Sequence, residues 1–361
     1  MTALRTRLER LIEAQGPITV AEFMAVCLYD DEHGYYMTRN PFGRSGDFTT
    51  APEISQMFGE LVGVWVASAW HAIGRPEQAI IAEIGPGRGT LMKDMVRTLL
   101  KAAPELFGSA RFALVEISPE LSKVQAGTLK DMPARFEWHE DVAALPAGPL
   151  IIVGNELFDA VPIHQYVRTG GIWRERLVGL NEAGNLTFVV GPAAIAPALL
   201  PAAAGHAPDR SIAERAPARI ALMDKIAARI AVHGGAGLFI DYGHLASGIG
   251  DTLQAMQNHA FVPILDHPGA ADLTSHVDFE PLLEQAKMRR LETATTTQGR
   301  FLLAMGLLER AGRLGSAAPH LQDAIRTQVE RLAADGQMGD LFKILCVAQP
   351  GAMPAPFPIV S

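Results

Sequence analysis

The chain has 361 residues, 48% of them hydrophobic, and 31 basic against 39 acidic side chains give a formal net charge of −8. It is about twice a typical single-domain length of ~150 residues, so it holds one elaborated domain or a core with a second lobe, and it lacks the basic excess of a nucleic-acid binder. The composition excludes disorder, no run reaches the ~18 apolar residues of a spanning helix, and two cysteines, Cys27 and Cys346, make neither a disulfide framework nor a metal knuckle.

In chain order, Leu4, Leu8, Leu11 and Ile12 fall at helical spacing, so the first fourteen residues form an amphipathic helix. Its arginines are interleaved with Glu9 and Glu13, unlike an acid-poor transit peptide, and with free thiols this gives a cytoplasmic location as the expectation. Thr19 and Glu22 have the spacing of a capping box, opening a helix to about Tyr29. Residues 30–52 are dense in turn formers, and a helix is expected from about Pro52 to Ile73. Strands and helices then alternate as in a parallel α/β sheet. Strands are expected at Ala79–Ile84, Arg111–Val115, Arg135–Trp138 and Pro149–Val153, with helices from Thr90 and from Ser118-Pro119. Residues 162–190 read as three antiparallel strands, turning at Thr169-Gly-Gly171 and Asn181–Asn185, and 191–218 as an Ala/Pro-rich loop. A helix near 217–232, a strand at Gly237–Asp241 and a loop-rich stretch over 244–277 follow. The tail supplies a helix near 279–287, a strand near 288–294, a helix near 321–333 and a last strand over 341–348. The expected fold is a seven-stranded α/β core over 76–361, preceded by a helical and lid segment over 1–75. It carries insertions at about 162–215 and 244–277.

The strongest local signal is Glu83-Ile-Gly-Pro-Gly-Arg-Gly-Thr90. A glycine loop between a strand and its helix lets a ligand approach the backbone. A dinucleotide fingerprint would need a third glycine where Thr90 stands. Glu83 would repel a pyrophosphate but suits a ligand with an ammonium and a sulfonium; the alternative is a glycine loop that only turns a tight corner. Glu116, with Ile117 beside it, ends the second strand where α/β nucleoside binders hold ribose hydroxyls, or else is a solvated strand-end acid. Asp141 and Val142 stand where an acceptor and an amide would meet adenine, although Asp141 also suits the start of a turn. After the fourth strand, Asn155, Glu156 and Asp159 lie at the carboxyl edge of the sheet, where ligands of open α/β sheets bind, or else serve as capping and turn residues. Gly46, Asp47 and Thr49 are expected in a lid or wall over the ligand, or in a loop capping the next helix. No histidine shows metal-ligand spacing, so no metal site is expected.

Several stretches together resemble the MidA family of bacterial and mitochondrial methyltransferases of the complex I assembly type. They are Gly46–Glu60, Glu83–Thr90, Gly154–Ala160, Ile240–His244, Ala271–Phe279, Thr297–Phe301 and Met338–Lys343, with Ala51 standing where the pattern has serine. The resemblance implies a class I, Rossmann-like methyltransferase fold with S-adenosyl-L-methionine as cofactor. Gly46, Asp47, Thr49, Glu83, Gly85, Pro86, Gly87, Gly89, Glu116, Ile117, Asp141, Val142 and Asn155 would line the cofactor site. It also implies dimethylation of an arginine on a 49-kDa-type subunit of respiratory complex I. Glu156 and Asp159 would grip the guanidinium, and Asp241 or His244 would accept its proton. Two other functions stay open: transfer to a small molecule or another residue, and a non-catalytic assembly factor that keeps a cofactor pocket. The apolar fraction is compatible with a homodimer.

Overall fold

A computed structural model describes residues 2–38 and 50–358. It divides into two compact units, Met1–Phe48 with Phe158–Ala221 and Ala246–Glu280, and Thr49–Leu157 with Leu222–Leu245 and Pro281–Ser361.

The first unit opens with the helices Ala3–Gln15 and Val20–Tyr29. Thr19 caps the second: its hydroxyl accepts from the Glu22 amide at 3.1 Å, and its own amide donates to the Glu22 carboxylate at 2.7 Å. Leu4, Leu8 and Ile12 are buried with Phe23, Met24, Tyr35 and Leu273 in one apolar cluster. The strands expected over 162–190 form an antiparallel sheet of His164–Thr169, Ile172–Leu180 and Leu186–Ala194. The turn between the first two is made by Gly170 and Gly171, at φ 58° and 77°, the pair of positive φ values that a tight hairpin needs. The Ala/Pro-rich stretch, expected as loop, contributes a further strand, Ile212–Arg215, beside His164–Thr169. The stretch 244–277, also expected as loop, contains a small sheet in which Gln254–Gln257 pairs with Ala260–Val262 and Asp272–Thr274. These strands are three or four residues long, too short to show a period of two above the surrounding turn residues.

The second unit carries the large sheet. Its strands are β1 (Ile80–Ile84), β2 (Arg111–Val115), β3 (Phe136–His139), β4 (Leu150–Asn155), β5 (Gly235–His244), β6 (Glu292–Thr297) and β7 (Phe342–Ala348), aligned in the order β6-β7-β5-β4-β1-β2-β3. All neighbouring pairs are parallel except that β7 runs antiparallel between β5 and β6. The register sets Ile84 opposite both Val115 and Gly154, and Ile240 opposite Asn155. Gly85, Glu116, Glu156 and Asp241 therefore all follow at one edge of the sheet.

The helix expected from Pro52 to Ile73 is two helices, Ala51–Ile54 and α1 (Gln56–Ala72). Ser55 breaks them apart: its backbone is extended and its hydroxyl accepts from the Met57 amide, capping α1. Although α1 lies in the sequence segment expected to stand before the core, it packs on α2 (Thr90–Ala102) within the second unit. Gly59 and Gly63 permit that approach, since a β-carbon at either would come within 2.6 Å of Asp94 Cβ or 2.9 Å of Thr98 Cβ. Two unanticipated helices, Gln298–Ala304 and Leu307–Ala317, follow β6, which itself lies a few residues later than expected. Gly306, at φ 94°, separates them and interrupts the helical period that would have revealed one long element.

Candidate functional site

The chain leaves β1 through Gly85-Pro86-Gly87-Arg88-Gly89 and enters α2. Gly85, Gly87 and Gly89 have φ of 65°, 51° and 80°, a left-handed run that L side chains resist. Gly85 donates its amide to Val115 O at 3.1 Å and Gly89 to Pro86 O at 2.7 Å, so the loop is pinned across the sheet edge and on itself. It delivers the first-turn amides of α2, the positive end of a helix dipole, to the same edge.

Glu83, on β1 two residues before the loop, is only 3% exposed. The Met92 amide in the first turn of α2 bonds its carboxylate, but burial outweighs this and pushes the carboxyl well above the usual range, with the nearby Glu116 charge adding to the rise. Its Oε2 is buried and has no hydrogen-bond partner among the described residues, and neither has Oδ1 of Asn155 at the end of β4. Orphaned buried acceptors carry a desolvation cost, and the cost disappears when a donor arrives. An ammonium supplies three donors and a positive charge, so these two oxygens fit the cationic amino-acid end of S-adenosylmethionine.

At the end of β2, the Glu116 amide bonds His139 O at 2.9 Å. Its Oε1 accepts from the Ser118 amide at 2.8 Å and its Oε2 from Gln125 Nε2 at 2.9 Å. The Ile117 amide bonds the same carboxylate, which sits at the strand end where α/β nucleoside binders read a ribose. Ile117 next to it is 50% exposed, an apolar side chain left uncovered at the sheet edge. Asp141 takes the turn-starting role: Oδ1 caps the Val142–Ala144 turn through the Ala143 amide at 2.8 Å, and Oδ2 pairs with Lys225 at 2.7 Å. The Lys225 bond holds the Asp141 carboxyl below its usual range. Val142 is buried beside it. Gly46, Asp47 and Thr49 lie outside the described residues.

On the acceptor side, Glu156 follows β4 with φ 51°, a conformation that non-glycine residues adopt at a cost and that clusters at functional sites. Its amide donates to Ile240 O at 2.8 Å, and its Oε1 accepts from Asn155 Nδ2 at 3.1 Å and the Ala51 amide at 3.4 Å. Asp241 is fully buried on β5; Oδ2 accepts from the Leu157 amide at 3.1 Å and Oδ1 from the Tyr242 amide at 3.0 Å. It therefore holds the 155–157 turn against β5. His244 is the last residue of β5 and half-buried.

Asp159 belongs to the first unit. It is 6% exposed, accepts from the Ala160 amide at 2.8 Å, and burial pushes its carboxyl up to about 6 against the opposing charge of Arg219. Arg219, 3% exposed, donates to the carbonyls of Asp159, Val161, Ser275 and His276 and to Ser275 Oγ. Together these side chains lock the 158–161 segment within that unit.

Two participants escape a sequence reading. Gln125, on the helix α3 (Pro119–Leu129), is fully buried and bonds Gly87 O and Glu116. Its one legible signal is its place in the stripe Leu121-Gln125-Leu129, a polar residue where the period calls for an apolar one. Glu53 accepts from the Thr90 hydroxyl at 2.6 Å and lies 4.0 Å from Arg88, tying the helix Ala51–Ile54 to the glycine loop.

A family model described as "Putative S-adenosyl-L-methionine-dependent methyltransferase" matches residues 61–297. Over 99% of the chain the sequence is 34% identical to the mitochondrial protein arginine methyltransferase NDUFAF7 homolog of Drosophila melanogaster, covering 88% of that protein. Over 96% of the chain it is 33% identical to the Homo sapiens mitochondrial protein arginine methyltransferase NDUFAF7, covering 83% of it. A "likely methyl transferase" from Burkholderia thailandensis, crystallised with S-adenosyl-homocysteine, superposes with a TM-score of 0.86 at 28% identity, over 98% of this chain and 93% of that one. These relatives correct the expected cytoplasmic location, since both curated proteins are mitochondrial by name. The residues behind that expectation serve the fold instead: Leu4, Leu8 and Ile12 of the first helix are core residues, and both cysteines are buried thiols that any reducing compartment accommodates.

Proposed function

The chain belongs to this family of S-adenosyl-L-methionine-dependent methyltransferases, and from that membership we propose that it methylates an arginine side chain of a protein, with Glu156 as the carboxylate that receives the guanidinium. The observation that carries the proposal is the pinning of Glu156 at a left-handed φ of 51° at the end of the central strand β4, with Oε1 held by Asn155 and the Ala51 amide. The names of the fly and human relatives, both protein arginine methyltransferases, support the choice of acceptor.

S-adenosylmethionine supplies an electrophilic methyl group on a sulfonium. The residues at the sheet edge bind and orient. Glu83 Oε2 and Asn155 Oδ1 would receive the ammonium, the glycine loop would hold the amino-acid portion, and Glu116 would take the ribose hydroxyls. Ile117 and the Val142 amide would meet the adenine. The obstacle to arginine methylation is charge: with a pKa near 13.8, full deprotonation at pH 7 would cost roughly 9 kcal/mol at ~1.36 kcal/mol per pH unit. Glu156 avoids that cost by holding the guanidinium through charge-assisted hydrogen bonds while the methyl is transferred, so that the proton leaves late. His244 then accepts the proton. Asp241, which accepts from the Leu157 and Tyr242 amides, fixes the turn that presents Glu156. Asp159 serves the first unit's own core.

The acceptor we propose is an arginine on a 49-kDa-type subunit of respiratory complex I, on the strength of the MidA-like stretches along the chain. Deleting the gene and measuring that subunit by mass spectrometry tests it. Loss of arginine dimethylation is the expected result, and an unchanged methylation state would move the acceptor to another molecule.

A further inference from the structure

A glutamine buried at 0% exposure in the middle of a helix must satisfy two N–H donors and a carbonyl oxygen without water. Gln125 does so entirely within the cofactor edge of the second unit. Its Nε2 donates to Gly87 O and to Glu116 Oε2, both at 2.9 Å, and its Oε1 accepts from Trp138 Nε1 at 2.9 Å. An indole nitrogen is only a donor, so the amide oxygen must face Trp138 and the NH2 group must face the glycine loop and the carboxylate. The orientation of the amide is thus dictated by chemistry. Its backbone also abuts the loop, with Gln125 Cα 3.5 Å from the point where a β-carbon on Gly89 would lie.

We propose that Gln125 is a positioning residue for cofactor recognition: it fixes the glycine loop and the Glu116 carboxylate relative to each other and so sets how tightly the ribose hydroxyls are read. This rests on the assignment of Glu116 to the ribose. Ser118 N–H and Gln125 Nε2 approach the two oxygens of Glu116 separately, which stops the carboxylate from rotating. The Gly87 carbonyl, held by the same NH2 group, cannot turn toward the ligand. Trp138 lies on β3 and Glu116 follows β2, so a single side chain on α3 gauges three neighbouring elements at once.

The test is isothermal titration of the full-length protein with S-adenosylhomocysteine and with its 2′,3′-dideoxy counterpart, which lacks both hydroxyls. The wild type is expected to prefer the ribose form by about 100-fold, the scale of hydrogen bonds to a charged acceptor. Gln125→Met keeps the length and removes all three bonds. It is expected to weaken S-adenosylhomocysteine about tenfold and to reduce the preference to about tenfold, because the lost order falls on the hydroxyls. A purely structural role would weaken both ligands alike. Trp138→Phe keeps Gln125 but removes the donor that orients it, and a threefold narrowing of the preference is expected; this variant carries the test if Gln125→Met does not fold. A preference within twofold of wild type in a folded variant overturns the role of Gln125 and leaves the cofactor site standing. A wild type that binds S-adenosylhomocysteine without preferring it over the dideoxy form overturns the ribose assignment, and one that does not bind it at all overturns the cofactor reading.

Discussion

Glu83→Gln isolates the charge that receives the cofactor's ammonium. The substitution keeps the shape of a side chain that is 3% exposed between β2 and β4, and it removes the ionisation that burial opposes. In the free protein the proton on Glu83 is held well above its usual range, and Oε2 has no partner among the described residues. Binding a cation there favours the ionised form, so the ligand must displace a proton. Affinity for S-adenosylhomocysteine should therefore rise from pH 5 toward pH 8 in the wild type, with proton release visible as a dependence of the binding heat on buffer. A hydrogen bond between charged groups contributes ~1.5–3 kcal/mol, so Glu83→Gln should weaken binding at pH 8 by roughly 10- to 100-fold at ~1.4 kcal/mol per decade. The proton release should vanish with it. Stability moves the other way. The folded state holds this proton more tightly than the unfolded chain, so ionised Glu83 destabilises the free protein as pH rises above the unfolded value. The unliganded variant should then melt higher than wild type at pH 8 and show no gain at pH 4. Equal affinities for wild type and variant, with no proton exchange in either, would refute the pairing of Glu83 with the ammonium.

Glu156→Gln should reduce kcat by 10²- to 10⁴-fold while S-adenosylhomocysteine binds within a few-fold of wild type; an equal loss of binding would move Glu156 into the cofactor pocket. Asp94, on α2 against Gly59, is pushed up to about 6 by burial, with Arg97 opposing. Raising a carboxyl from 3.8 to about 6 destabilises the ionised form by roughly 3 kcal/mol. The penalty is absent below pH 4 and complete above pH 6, so Asp94→Asn should raise the unfolding free energy from urea titration at pH 8, by up to that amount, and not at pH 3.5; equal gains at both would refute the assignment. Arg219→Met leaves five acceptors in the first unit without their shared donor and should cost about 3–5 kcal/mol; a thermal midpoint unchanged from wild type would show that the cluster contributes no stability.

What the sequence made legible was local. The capping box at Thr19 and Glu22, the Ser118-Pro119 helix start and the glycine loop each depend on residues within a few positions of one another, and each stands where expected. Glu83 and Glu116 were accessible for the same reason, because a strand end and a glycine turn specify what the next side chain faces. The role of Gln125 required knowing that α3 returns across the glycine loop, a contact 38 residues apart in sequence. Asp241 was legible as a strand-end acid, but its bonds to the amides of Leu157 and Tyr242 were not, because only the parallel register of β4 and β5 brings Leu157 to it. The break at Ser55 and the helices after β6 were missed because serine and glycine are tolerated inside helices as well as at their ends. Which role they take is decided by packing.

The reversed strand β7 has a consequence for how the protein is made. β5 pairs along residues 236–242 with residues 342–348 of β7, so a central strand gains this neighbour only once residues 342–348 have been synthesised. The gap between the end of β5 at His244 and the start of β7 at Phe342 is ~100 residues, or about 5–20 s of translation at 5–20 residues per second. Throughout that interval the nascent chain presents an apolar edge of the sequence Ala-Gly-Leu-Phe-Ile, a template for pairing with another chain. Truncation before residue 342 should give an aggregating product rather than a smaller folded enzyme.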